Sequence, residues 1–218
     1  MYKRQLIKQL INPKTENYYA LKNFVLNGNI QWEWTSNSIG EPEDEEDLEE
    51  LKYYFEKSNI SWKDRSKCLD VPFYSHCVVD RMTTYDLKCP EKEFEIGDDL
   101  VPIITSESYT LVRNFLYDLV MANRGNIDSY IRCILRCNFN SVHSDEQGLS
   151  IPHQDHDSRV IPHKNILVYF TSAGGKTFVG NEFHSPEEDD IICFDSSSSH
   201  YMSPPKSKRR VVMVLTYI

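Results

Sequence analysis

The string His153-Gln154-Asp155 concentrates metal-binding chemistry in one place, and His200 follows 45 residues after its carboxylate. Two imidazoles and one carboxylate can occupy one face of an octahedral iron(II), leaving three positions for a co-substrate and dioxygen. On an extended segment, residues two apart point to the same side, so His153 and Asp155 can reach one ion. The third ligand must come from another strand, and His200 lies just past the apolar run IICF and the turn-like SSSS. A His-x-Asp pair is a weak signal by itself, and His143-Ser144-Asp145 repeats it. The second copy is preferred because it follows the apolar stretch LSIP and precedes the strand-like ILVYF. The first sits among Asp145, Glu146, Gln147 and Gly148, the composition of an exposed loop.

Ten residues after His200, Arg210 opens the run RVVMVLTY. A buried arginine at the head of a core strand requires a carboxylate, which it can hold in a bidentate fork. Arg209 competes for the role. Strand alternation favours Arg210, which shares its face with Val212 and Val214.

These features resemble the iron(II)/2-oxoglutarate-dependent dioxygenases. The resemblance runs over roughly residues 130–218, through HQD, ILVYF, GGKTF, IICFD, SSSSH and RRVVMVLTY in the family's order. It is similar in particular to the prolyl-hydroxylase-like branch, where a tyrosine stands sixteen residues after the first histidine; here that position is Tyr169. Gly174-Gly175-Lys176-Thr177 resembles the branch's Gly-Gly-x-Thr turn. The resemblance implies that His153, Asp155 and His200 hold Fe(II), and that Arg210 and Tyr169 bind the C5 carboxylate of 2-oxoglutarate. It also implies that Asn138 approaches the co-substrate's other end, although a plain strand-end polar residue is an equal alternative. The implied reaction couples oxidative decarboxylation of 2-oxoglutarate by O2, giving succinate and CO2, to hydroxylation of a substrate C–H bond.

Several substrate readings compete. The prolyl-hydroxylase-like features imply a protein or peptide side chain. HQDHD is also similar to the HQDKD-type motif of AlkB-like nucleic-acid demethylases, but their second arginine, six residues past the first, is Thr216 here. A small-metabolite oxygenase is a third reading, and a jelly-roll binding protein without turnover is a different class. The organisation also resembles uncharacterised oxygenases of phages and large DNA viruses. His156 and Asp157 read as rim residues, His163 and His184 as loop histidines, and His76 as a core histidine with a backbone partner. Cysteine nucleophiles, Ser/His/Asp triads and phosphate loops find no support, since the required upstream glycines are absent.

The elements that must position these residues fall into two parts. Residues 129–218 carry short apolar runs (YIRCILRCNF, KNILVYFT, KTFVG, DDIICFD, RRVVMVLTYI) punctuated by Gly, Pro, Ser and Asp. That pattern predicts a jelly-roll catalytic core. Residues 1–128 predict a support region of the same domain. Leu21, Phe24 and Val25 take helical spacing, Trp32 and Trp34 alternate as in a half-buried strand, and 71–82 reads as a strand. The clearest helix spans 106–123, with Ser106 or Ser108 as cap and Leu111, Phe115, Leu116, Leu119 and Val120 on one face. The acidic block 40–50 reads as a solvated loop or helix start. The fold class expected is therefore α+β, mainly β: a double-stranded β-helix with N-terminal supporting helices.

Composition narrows the partners. The net charge is −9, and the dense basic cluster is confined to Lys206, Lys208, Arg209 and Arg210, which disfavours nucleic acid. No apolar run approaches the ~18–20 residues of a membrane helix, and the basic start lacks a secretory apolar core. Six cysteines without a Cys-x-x-Cys pair read as reduced thiols of a soluble, cytoplasmic protein. Oligomeric state is left open.

Overall fold

The structure, a computed structural model, describes residues 5–28, 30–35, 42, 44–68, 71–80, 102–127, 131, 133–144, 148–156 and 162–218. They form, in order, β1 (Lys8–Leu10), α1 (Glu16–Asn27), β2 (Glu33–Thr35), α2 (Glu45–Lys57), a 3-10 helix (Trp62–Lys67), β3 (Phe73–Asp80) and β4 (Ile103–Ile104). There follow α3 (Tyr109–Ala122), β5 (Ile134–His143), β6 (Lys164–Tyr169), β7 (Lys176–Val179), β8 (Glu182–His184), β9 (Ile191–Asp195), β10 (His200–Ser203) and β11 (Arg209–Tyr217). Eight strands build one antiparallel sheet in the order β1-β9-β6-β11-β5-β3-β2, with β4 paired to β3. The second sheet is β10-β7-β8, extended by a bridge from His153 to His200. Residues 1–128 thus place β1 at one edge of the large sheet and β2, β3 and β4 at the other.

Alternation along the strands sends side chains into two environments. On the outer face, Ile166 and Val168 of β6 and Val211, Met213, Leu215 and Tyr217 of β11 meet the helices. Their partners are Tyr18, Leu21 and Val25 of α1 and Val112, Phe115, Leu116 and Leu119 of α3. On the inner face, Leu167, Tyr169, Ile192, Phe194 and Val212 pack against Val179 of the small sheet. Two facing antiparallel sheets with helices on one outer face make the double-stranded β-helix that the strand pattern predicts.

Local chemistry explains the ends. Thr15 caps α1, its hydroxyl accepting from the Tyr18 amide, and Asp44 caps α2 through the Asp47 amide. Within the acidic block, Glu45, Glu46 and Asp47 thus form the first turn of α2, where carboxylates suit the dipole. At α3, Ser108 holds the N-cap position without a side-chain cap bond, and Ser106 Oγ instead accepts from the Ser108 amide. Trp34 departs from expectation: it is 57% exposed, because β2 is a three-residue edge strand. Its ring meets Tyr74 edge-on at 5.0 Å, while Trp32 packs against the core. The described cysteines, Cys68, Cys77, Cys133, Cys137 and Cys193, are free thiols. Among the described residues no helix is long and apolar enough to cross a membrane.

One polar anchor ties α1 to the sheet. Tyr18 Oη donates to Asp189 Oδ1 at 2.5 Å, and Lys22 Nζ donates to the same oxygen at 2.6 Å, just before β9. Burial alone would raise the Asp189 carboxyl, but the bonds from Lys22 and Tyr18 outweigh it and hold it below its ordinary value. Tyr18→Phe should cost about 1.5–3 kcal/mol in urea denaturation at neutral pH. A carboxyl depressed by folding stabilises fully above its unfolded pKa of about 4, and that contribution fades as pH falls through the lower folded value. The deficit of Tyr18→Phe should therefore narrow in acid; a deficit independent of pH would exclude Asp189 as the partner that matters.

Candidate functional site

β10 starts at His200 and meets His153 through both backbone bonds, 3.0 Å from the His153 amide to the His200 carbonyl and 2.9 Å in return. A doubly bonded antiparallel pair sets two side chains on the same face of the sheet. The two rings accordingly lie 4.5 Å apart. Asp155 arrives on the same side, and one ligand atom from each of His153, Asp155 and His200 lies within 4.8 Å of the others. His200 Nε2 is 3.4 Å from Asp155 Oδ2.

The surroundings prepare these groups as ligands. Burial, then the neighbouring His153, push the His200 imidazole down to about 4, so it is neutral at physiological pH and able to coordinate. His153 Nδ1 lies 2.9 Å from the Ile151 carbonyl, which makes Nδ1 the donor and leaves the lone pair on Nε2. Arg136 of β5 donates from Nη1 to Asp155 Oδ1 at 3.0 Å, orienting a carboxylate that is only 3% exposed. At the other ligand, Ser58, just past α2, donates from Oγ to Ser199 Oγ at 2.9 Å in a buried contact beside His200. Two imidazoles and an oriented carboxylate suit iron(II). His143 stands apart: it ends β5 exposed, with its ring 5.6 Å from Tyr74. Asp145 lies outside the described residues.

Arg210 is 2% exposed on the inner face of β11, and Arg209 takes the opposite face. No described carboxylate pairs with Arg210. Its Nη2 touches Met202 Sδ, and its Nη1 is buried without a hydrogen-bond partner. Burial pulls the guanidinium pKa below its usual value, with Tyr169 opposing. Tyr169 Oη donates to Thr177 Oγ1 at 2.8 Å, and burial pushes the phenol up to about 12, so it stays protonated. Thr177 is held there by a turn that only glycine can make. Gly175 has φ +80, and a Cβ on it would sit 2.5 Å from the Pro204 carbonyl oxygen. Asn138 faces inward from β5; its Nδ2 donates to Ser75 Oγ at 3.2 Å, while its Oδ1 is buried without a partner.

The remaining histidines divide. His156 is half-buried, and its Nε2 lies 3.0 Å from Thr216 Oγ1. His163, expected in a loop, is buried, its ring against that of His156 at 5.1 Å. His184 lies in β8 and pairs with Asp190 at 3.1 Å. His76 meets the Gln31 carbonyl at 3.0 Å and Ser106 Oγ at 2.9 Å. Asp157 lies outside the described residues. Sequence reasoning missed two participants. Arg136 was signalled by a charge inside the apolar run RCILRCN, and Thr177 by the GGKT turn itself.

Comparisons with known proteins bear on the fold. No protein-family model matches the chain, and no curated protein matches it. Among solved structures, it is similar to an oxidoreductase of the 2OG-Fe(II) oxygenase family from Burkholderia pseudomallei, with TM-score 0.52 and 13% identity, over 92% of this chain and 76% of that one. A prolyl hydroxylase from Trichoplax adhaerens, in complex with a hypoxia inducible factor peptide fragment, aligns with TM-score 0.44 and 15% identity over 95% and 96% of the two chains. A prolyl-4-hydroxylase from Pseudomonas putida aligns with TM-score 0.40 and 10% identity over 92% and 97%. The chain thus has the fold of the 2OG-Fe(II) oxygenases.

Equilibrium dialysis with Fe(II) under argon tests the cluster. His153→Ala or His200→Ala should abolish binding, whereas His143→Ala should leave it unchanged. Arg136→Ala should weaken binding ~10–100-fold, the usual effect of removing a group that orients a ligand. Loss of iron in His143→Ala with retention in His153→Ala would move the site to the other His-x-Asp copy.

Proposed function

We propose that this protein is an iron(II)- and 2-oxoglutarate-dependent dioxygenase that hydroxylates a C–H bond of a protein or peptide side chain. The observation that carries this reading is Arg210: a buried guanidinium, unmatched by any described carboxylate, on the same inner face that closes over the His153–Asp155–His200 cluster. A buried charge without a partner is costly, and a dicarboxylic co-substrate supplies the missing anion. Bound iron(II) supplies the redox chemistry that couples decarboxylation of 2-oxoglutarate by O2 to substrate hydroxylation.

The chain's own residues do the rest. His153, Asp155 and His200 present three ligands from one side and leave the opposite side to small molecules. Arg136 and the Ile151 carbonyl hold two of those ligands in orientation. Arg210 anchors the far carboxylate of the co-substrate through charge, and Tyr169 joins it by turning its phenolic proton from Thr177 to that carboxylate. Val212, Leu167 and Phe194 belong to the buried apolar inner face between the sheets, which keeps water out. The Tyr169–Thr177 pair and the net charge of −9 support a peptide over nucleic acid. Position 216 carries a threonine committed to His156 rather than an arginine. The free thiols support a reducing, cytoplasmic setting.

Calorimetric titration of 2-oxoglutarate into the anaerobic Fe(II) protein tests the anchor. Truncating one partner of a buried charged pair costs ~2–5 kcal/mol, so Arg210→Ala should weaken binding by roughly 30-fold or more while iron stays bound. Arg210→Lys should keep part of the affinity, since the charge remains without the planar fork. Tyr169→Phe should cost on the order of 1–2 kcal/mol, and Arg209→Ala almost nothing. Silence of both arginine variants would sink the 2-oxoglutarate assignment.

A further inference from the structure

One row of inner-face residues runs across the large sheet beneath the metal cluster. Its register is Arg136 on β5, Thr216 on β11, Asn165 on β6 and Phe194 on β9. Three of the four touch the cluster's segment: Arg136 bonds Asp155, Thr216 meets His156, and the Phe194 ring lies 5.1 Å from that of His200. Asn165 sits between Thr216 and Phe194. It is 1% exposed, and neither its Nδ2 nor its Oδ1 has a hydrogen-bond partner. A buried carboxamide with donor and acceptor both unmet destabilises the fold, and a leucine would fill that volume without the penalty. Its shape of unmet need is specific. A carboxylate or a metal could answer only one half, whereas an amide presents a donor and an acceptor together.

The row also has a side. Arg210 stands six residues from Thr216 on β11, on the order of 20 Å along the strand. A co-substrate anchored by Arg210 and Tyr169 therefore runs from the cluster toward the start of β11, and Asn165 lies toward the other end. The basic cluster of Lys206, Lys208 and Arg209 is at the co-substrate end, too, and the one cation of the Asn165 row is committed to Asp155. That leaves a neutral, hydrogen-bonding row beneath the cluster and away from the co-substrate anchor, a poor match to a phosphate backbone.

We propose that Asn165 is a substrate-recognition residue, pairing its Oδ1 and Nδ2 with the N–H and C=O of a peptide amide beside the C–H bond to be hydroxylated. This rests on the dioxygenase reading above.

The test is Asn165→Leu in the full chain, read three ways. Without substrate, its thermal midpoint should rise by a few degrees, because the unmet amide is gone. Its affinity for 2-oxoglutarate in the anaerobic Fe(II) protein should stay within about twofold of wild type. A pool of capped peptides should stimulate 2-oxoglutarate consumption by the wild type, and the variant should lose at least about tenfold of that stimulation. A fall in the midpoint would make Asn165 a structural residue and overturn the proposal. Loss of 2-oxoglutarate affinity in the variant would overturn it as well, by placing Asn165 on the co-substrate. Wild-type stimulation by methylated oligonucleotides, or no stimulation by peptides, would overturn the peptide assignment. Failure of the wild type to bind 2-oxoglutarate would strike the dioxygenase reading itself, a distinct result.

Discussion

Two backbone hydrogen bonds between His153 and His200 join a loop to the first residue of β10 and make the metal cluster possible. They close a 47-residue excursion, so the ligands meet only if the whole core between them folds correctly. Neighbouring contacts hold the rung in place. The Ser150 amide donates to the Met202 carbonyl at 2.8 Å, and Ser150 Oγ accepts from the Met202 amide at 2.9 Å. On the other side the Gly180 amide bonds the Ser199 carbonyl at 2.8 Å, and Ser58 pins Ser199 from the end of α2. Positioning of the cluster is therefore a property of the fold rather than of a local motif.

The large sheet divides its work by face. Its outer face is continuously apolar and is covered by α1 and α3, and this burial supplies the favourable free energy that holds the domain together. Its inner face carries what stability alone would not select: a buried arginine and two inward asparagines with unmet atoms, facing the His153–Asp155–His200 cluster. Such groups persist when the surrounding packing outweighs their cost, and they mark where ligands bind. The period of two in a strand is what allows Val211 and Arg210, adjacent in the chain, to serve opposite ends.

Legibility in the sequence followed the range of each interaction. Local periodicity exposed α1, α3 and the strand-rich second half, and the His-x-Asp spacing with alternation at Arg210 exposed the polar centre. What depends on register between strands was hidden. Arg136 touches Asp155 because β5 lies beside β11 with Arg136 opposite Thr216, and nothing in either strand alone states that pairing. Asn165 was invisible for the same reason, being an ordinary polar residue until Thr216 and Phe194 flank it. His163 and Trp34 erred in opposite directions. A histidine between Pro162 and Lys164 reads as an ordinary loop residue yet is buried edge-on against the His156 ring, while a tryptophan in an alternating run looks buried yet sits on an edge.

If iron and a 2-oxo acid bind together between the two sheets, the visible spectrum of the anaerobic Fe(II) protein reports it directly. Adding 2-oxoglutarate should produce a broad charge-transfer band that saturates at one equivalent per chain, because chelation of the metal by the 2-oxo acid is required for it. Iron binding without that band at saturating 2-oxoglutarate would contradict the account.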